Sequence, residues 1–288
     1  MDKTNEHNIE KFSVMYRIIE DAKKSKNWEF FKSEIEKFDV SITNGDNETI
    51  LHNLVYNVPV EITELVLKKG GNPNIANSRY RRNPSFYANS LETHQVLVKY
   101  GVDINYQDES GWTAAQMNMS INELLSFYIE KGLNIELKDI AGRTMLFETI
   151  FNRDEKNFNF LLEKGTNIDS VDNYGLSPLF YAIIGNNENI LFTLLKNNAS
   201  NKILTIKDYD IGIAETPLIL PKESSVFDLI KLIKDWIDTA NDSEEWIAEF
   251  KTNFYNRCKI IEKFYDIKII NLELEKAKKI PWYKKIFK

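Results

Sequence analysis

The chain has 288 residues, of which 43% are apolar and 28% are charged, a composition typical of a folded protein. A single cysteine, Cys258, excludes an internal disulfide, and no apolar run reaches the roughly 20 residues that a membrane-spanning helix needs. The net charge is −6, and because residues 205–288 hold 15 basic and 15 acidic residues, the whole excess lies in residues 1–204. With a polar N-terminus that does not look like a secretory signal, we expect a cytoplasmic protein whose acidic body disfavours nucleic acid and attracts basic partners.

The first predicted elements lie in residues 9–38, where apolar side chains recur at helical spacing. Further along, glycine ends a series of apolar runs at intervals of 31, 31 and 33 residues, at Gly70, Gly101, Gly132 and Gly165. A fifth similar segment has Asn198 at the corresponding position. Glycine and asparagine best tolerate the left-handed conformation that ends a helix. The spacing therefore predicts a series of helices that stop at these five positions.

A second signal precedes each of these helices. Segments such as "ETILHNL" (48–54), "NPSFYAN" (83–89) and "GLSPLFYA" (175–182) place Thr, Asn or Ser where a helix should begin, and Pro178 follows Ser177 at the first helical position. Each unit is thus predicted to contain a cap, a helix, a short break, a second helix, a left-handed stop and an extended excursion. Such a unit has two faces to bury, so neighbouring units must stack.

This pattern resembles the ankyrin repeat. The Thr-Pro-Leu-His start of that family appears as Thr49–His52 and, degraded, as Ser177–Phe180, and its Gly-Ala-Asp-x-Asn ending appears as Gly101–Asn105. The resemblance covers about residues 40–204 and implies an all-α fold, a solenoid of stacked helix-turn-helix units with short finger loops and a helical cap at each end.

The resemblance also implies a division of the chain into three parts. We expect residues 1–45 to form a degenerate capping repeat and residues 46–204 to form about five ankyrin repeats. Beyond them the period breaks, and residues 205–288 are predicted to form a loop followed by a helical C-terminal cap. A small separate helical domain is the alternative for this last part.

Few residues suit catalysis. His7 lies near the terminus, His52 occupies a position that is structural in the family, and His94 is expected to be solvated. No Ser/His/Asp or Cys/His arrangement, phosphate loop or metal-ligand spacing can be assembled, and "DESG" (108–111) and "DNYG" (172–175) suit turns between repeats better than calcium loops. We therefore predict a protein that is not an enzyme and needs no cofactor or metal. An active site in residues 205–288 is the alternative, which the lack of histidine there disfavours.

The resemblance implies that partners meet the finger tips and the residue before each helix cap. The segment "NSRYRRN" (77–83) carries most weight, because an extra residue should lengthen its loop and its three arginines have no reason to be buried. An ordinary solvated turn is the alternative. The candidate partner-binding residues are Arg79, Tyr80, Arg81, Arg82, Glu109, Trp112, Ile140, Arg143, Asn173 and Tyr174.

The function expected is that of a non-catalytic module, a monomer when free, that binds a specific protein. Richness in Asn, Lys, Ile and Phe fits an A/T-rich bacterial genome, and such ankyrin proteins resemble immunity proteins that neutralise a cognate toxin, here one with a basic domain. A general scaffold or regulator and a host-directed effector are the alternatives. The Lys-rich, aromatic tail at residues 274–288 suits packing on the last helix better than contact with a membrane or nucleic acid.

Overall fold

The structure is a computed structural model that describes residues 3–185, 187–200, 209–210, 219–220, 225–239 and 245–265. The chain divides into two compact units, Met1–Ile140 and Ala141–Lys288. The predictions for the tail at residues 274–288 and for most of the segment after residue 200 lie outside the described residues. Within the described part, no helix is both long enough and apolar enough to cross a membrane.

The first unit is a stack of helix pairs. Its elements are α1 (Lys3–Ser25), α2 (Glu29–Ile35), α3 (Ile50–Leu54), α4 (Val60–Lys68), the 3-10 helix (Pro84–Tyr87), α5 (Leu91–Lys99), α6 (Ala114–Met117) and α7 (Leu124–Glu130). The long helix α1 packs on α2 and on α3. The 3-10 helix contacts α3 on one side and α6 on the other, while α4 packs on α5, so first helices stack on first helices and second on second.

The second unit continues the same pairing and ends in two longer helices. Its elements are α8 (Met145–Phe151), α9 (Glu155–Glu163), α10 (Pro178–Ile184), α11 (Glu188–Lys196), the paired antiparallel strands β1 (Tyr209–Asp210) and β2 (Ile219–Leu220), α12 (Val226–Thr239) and α13 (Glu245–Tyr265). Helix α10 packs on α8, and α11 packs on α9. Helix α13 packs on α10, α11 and α12 and buries Phe254 and Ile261. The prediction of an all-α stack of helix-turn-helix units is confirmed within each unit.

Helix caps and left-handed helix stops begin and end these helices where the sequence predicted them. Gly70, Gly101, Gly132 and Gly165 have φ between +80° and +97°, and Asn198 has φ +59°, so all five stop their helices in left-handed geometry. Ser177 Oγ accepts a hydrogen bond from Phe180 N, and Pro178 opens α10. His52 has the structural role expected, since its Nδ1 accepts from Thr49 N and its Nε2–H donates to the carbonyl of Arg82 in the next repeat.

The segment after Asn83 differs from the α-helix expected there. Asn83 Oδ1 accepts from Ser85 N only two residues on, and residues 84–87 form a single 3-10 turn. The chain becomes extended at Ala88 (ψ 134°) so that Ser90 can cap α5. Because Ser90 must cap α5, the segment between Asn83 and Ser90 has room for one helical turn only.

His94 is buried, so the expectation that it is solvated is wrong. Its Nε2–H donates to the carbonyl of Ala88 (3.2 Å), which leaves Nδ1 to accept from the Tyr128 hydroxyl (2.9 Å) of the following repeat. Burial lowers the pKa of His94 to about 4, because removal from water disfavours the imidazolium; the bond to Ala88 offsets this in part. The imidazole is therefore a neutral connector between two repeats.

This burial makes stability depend on pH. As the pH is lowered from the ordinary pKa of 6.5 to about 4, the unfolded chain takes up a proton at His94 that the folded chain does not. The free energy of unfolding therefore decreases as the pH is lowered, by at most about 3 kcal/mol. We expect His94→Gln to flatten the fall in unfolding free energy between pH 7 and pH 5, measured by urea titration. An NMR titration of His94 with a midpoint near 6.5 in the folded protein would contradict this.

Candidate protein-binding surface

The first finger loop (residues 77–83) is held from inside by one buried amide. Asn77 Oδ1 accepts from Tyr80 N (3.2 Å) and Arg82 N (3.1 Å), and the backbone N–H of Asn77 donates to the Arg82 carbonyl. Its Nδ2 donates to the Tyr87 hydroxyl at 2.8 Å. Its Nδ2 also donates to Glu48 Oε1 at 3.4 Å, so Asn77 fixes the loop backbone and joins it to the helix that follows and to the preceding repeat.

The second finger loop (residues 108–112) is built in the same way on a carboxylate. Asp108 Oδ1 accepts from Ser110 N (2.9 Å) and Trp112 N (3.0 Å), and Asp108 N donates to the Trp112 carbonyl. The other carboxylate oxygen accepts from Arg82 Nε at 2.9 Å. Because the Asp108 side chain is fully buried, this ion pair connects the two loops in a place shielded from water.

Adjacent loops of the first unit also bond through their backbones. Glu109 N donates to the Tyr80 carbonyl (3.1 Å), and Ile140 N donates to the Ser110 carbonyl (3.0 Å). Gly111 permits this approach: its φ is +79°, and a Cβ at this position would lie 2.7 Å from Cα of Asp139. The loops therefore form one connected edge within this unit.

The last finger loop (residues 172–176), in the second unit, repeats the design. Asp172 Oδ1 accepts from Tyr174 N (2.8 Å) and Leu176 N (3.0 Å), and Asp172 Oδ2 accepts from the Tyr181 hydroxyl at 2.7 Å. Asn173 N donates to the Ala141 carbonyl of the preceding loop. Arg143 completes the cluster, with Nη2 donating to the Tyr181 hydroxyl and Nε 3.8 Å from Asp172 Oδ2.

Most of the predicted site residues project outward from these loops. In the first unit Ile140 is 72% exposed and Tyr80 is 37% exposed, and Arg79, Arg81 and Glu109 are also exposed. In the second unit the last finger loop exposes Asn173 and Tyr174. Trp112 is half-buried. The guanidinium carbons of Arg79 and Arg82 lie 5.1 and 5.2 Å from the centre of the Tyr80 ring, which limits its rotation.

Two of the predicted site residues have a different main role. The expectation that all three arginines of residues 77–83 lie in solvent is wrong for Arg82, whose side chain is only 19% exposed and is bonded to Asp108. Arg143, 30% exposed, stacks on Phe151 and Tyr181 beside Asp172. In both, a buried carboxylate attracts the guanidinium inward, so these arginines hold the loops in place.

The described residues show no group of His, Cys, Asp and Glu side chains that could hold a metal ion. The "DESG" and "DNYG" segments are turns, as expected, and their aspartates are occupied by backbone N–H groups and by arginine or tyrosine. The pKa of His52 is lowered by burial, which keeps the imidazole neutral in its bridge to Arg82. The geometry therefore suits recognition by outward side chains on a fixed backbone.

Comparison with known proteins agrees with this geometry. The family model described as "Ankyrin repeats (3 copies)" matches residues 112–208, which include the second unit's helix pairs α8–α9 and α10–α11. The chain contains ankyrin repeats. Comparison with curated proteins gave no significant match. Ankyrin repeats are protein-interaction modules, and the matched residues include the last finger loop (residues 172–176).

Sequence reasoning missed the residues that anchor the finger loops: Asn77, Asp108 and Asp172. A signal was present, because Asp108–Gly111 and Asp172–Gly175 place an acceptor three residues before a glycine of positive φ. An acidic or amide side chain at the start of a tight turn commonly accepts from the backbone two residues on. The partners Arg82 and Arg143, by contrast, lie 26 and 29 residues away, beyond any local pattern.

Arg81 and Arg82 are neighbours with opposite environments, which gives a matched test. We expect Arg82→Gln to lower the free energy of unfolding by about 2 kcal/mol, because the Asp108 carboxylate stays buried without its cation. Arg81→Gln, at an exposed position, should change it by less than about 0.5 kcal/mol. Urea unfolding of both variants gives the comparison, and equal stabilities would show that the ion pair does not hold the loops.

Proposed function

We propose that this ankyrin-repeat protein binds one protein partner through the outward side chains of its finger loops. The observation that carries the proposal is the contrast within each loop. The backbone is fixed by Asn77, Asp108 or Asp172, while Tyr80, Glu109 and Tyr174 on the same loops remain exposed to water. The packing of helices within each unit does not explain why these side chains are exposed.

The energetics of association favour such a surface. Binding costs free energy when loops and side chains must be ordered, and a loop that is already fixed avoids most of that cost. Large, semi-rigid aromatic side chains and arginine contribute most to interfaces, and Tyr80 with Arg79 and Arg81 supplies both types on one loop. Ile140, 72% exposed, adds apolar area that becomes favourable once a partner covers it.

More specifically, we infer that the partner is a toxin and that the protein is its cytoplasmic immunity protein. The excess of six negative charges in residues 1–204 supports this, because an acidic inhibitor associates faster with a basic toxin. The composition, rich in Asn, Lys, Ile and Phe, fits a bacterial source. Since Arg79 and Arg81 are exposed and basic, the toxin should place at least one acidic side chain against the first finger loop.

Co-expression with the product of the adjacent gene tests both levels of the proposal. We expect the protein to restore growth to cells that make the toxin, and the two chains to co-purify. Arg81→Glu combined with Ile140→Asp should weaken the complex by about a hundredfold or more, because it reverses one charge and replaces the exposed apolar side chain of Ile140 with another charge. Isothermal titration calorimetry measures the change.

Phe30→Asp is the matched control, because Phe30 is 62% exposed in the same unit but lies on α2 and not on a finger loop. It should bind and unfold like the parent protein. Binding that survives the double substitution would contradict the finger-loop surface, whatever the partner. Absence of both rescue and binding for every neighbouring gene product would contradict the immunity role and leave the surface to be tested with another partner.

A further inference from the structure

A cleft of about 520 Å³ lies in the first unit, at the opposite end of the short helix α3 from the finger loops. Three connecting segments line it, each joining the two helices of one repeat. They contribute Lys26 and Trp28 from the α1–α2 connection, Asn57, Val58 and Pro59 from the α3–α4 connection, and Asn89 and Ser90 from the segment before α5, while Lys23 comes from α1. The cleft is thus separate from the surface proposed above.

Each side-chain oxygen that lines the cleft already accepts a hydrogen bond from within the protein. Asn57 and Asn89 bond reciprocally: Asn89 Nδ2 donates to Asn57 Oδ1 at 2.7 Å, and Asn57 N donates to Asn89 Oδ1 at 3.3 Å. Ser90 Oγ accepts from Thr93 N as the cap of α5. These bonds also fix the cleft wall, because they connect two neighbouring repeats.

The groups that remain are donors and cations. Asn57 Nδ2 and the indole N–H of Trp28 have no hydrogen-bond partner among the described residues, although Trp28 is only 9% exposed. The Lys26 side chain forms no ion pair with any described residue, and Lys23 pairs only loosely, 3.4 Å from Glu20 Oε1. Among the described residues that line the cleft, none is acidic.

Free N–H donors and lysine cations, beside oxygens that each already accept one hydrogen bond, favour an anion. The α4 backbone adds to this, since α4 spans nine residues and begins beside the cleft, after Pro59, whose side chain provides no cap. The indole of Trp28 with Val58 and Pro59 gives the cleft an apolar wall next to these donors. A volume of about 520 Å³ suits a small organic molecule.

We propose that this cleft binds an organic anion, a carboxylate or phosphate group joined to an apolar body. The charged group would accept from Lys26 Nζ, Asn57 Nδ2 and the Trp28 indole N–H, and the apolar body would pack on Val58 and Pro59. A free anion and an anionic peptide share this chemistry. The proposal is independent of the function of the finger loops.

The Trp28 indole N–H gives a direct measurement in the full-length protein. Its peak in a ¹⁵N–¹H spectrum is assigned by its loss in Trp28→Phe, and the probes are N-acetylphenylalanine, phenyl phosphate and the uncharged N-acetylphenylalanine amide. We expect the first two to shift this peak saturably and the amide to leave it in place. The tighter of the two anions then tells whether a carboxylate, as in a peptide, or a phosphate is preferred.

Two substitutions make the test specific. Lys26→Gln should raise the Kd of the bound anion by about tenfold, through loss of one charge-assisted contact. Lys24→Gln is the matched control, since Lys24 is an exposed lysine in the last turn of α1, two residues before Lys26, and does not line the cleft. Equal shifts with the amide, equal weakening by both substitutions, or no saturable shift with either anion would overturn the proposal.

Discussion

One buried polar side chain at the first position of a finger loop accepts hydrogen bonds from the backbone of that same loop, and the surface of this ankyrin-repeat protein depends on that contact. Asn77 accepts from the backbone N–H groups three and five residues further along its loop. Asp108 and Asp172 each accept from the backbone N–H groups two and four residues further along. A buried backbone donor without a partner is costly, so each anchor both closes its loop and removes that cost. The loop then has one conformation before any partner arrives.

This anchoring separates the side chains of a loop into two groups. Arg82 and Arg143 point to the anchoring carboxylates and connect one repeat with the next, while Arg79, Arg81 and Glu109 remain exposed. His52 and His94 strengthen the same connections from within, each as a neutral imidazole between repeats. Specificity can therefore change by substitution of exposed residues without loss of the fold, which is how one repeat architecture serves different partners.

The sequence predicted the features that depend on local geometry. Glycine spacing identified the helix ends, and the Ser177–Pro178 pair identified the start of α10, because a cap or a left-handed stop acts within one turn. It did not predict that His94 is buried against Tyr128, 34 residues away, or that Arg82 pairs with Asp108, since those environments form only when repeats stack. The cleft at Trp28 had no local signal for the same reason: three separate segments build it.

Amide hydrogen exchange tests the central claim most directly, because it reports on the backbone of the loops and not on their side chains. If Asn77 and Asp108 fix the finger loops, the amides of Tyr80, Arg82, Ser110 and Trp112 should exchange about a hundredfold or more slowly than in an unstructured peptide. Asp108→Ala should remove the protection of Ser110 and Trp112 while the helices stay protected. Exchange of these amides in the parent protein at unstructured rates would contradict the account.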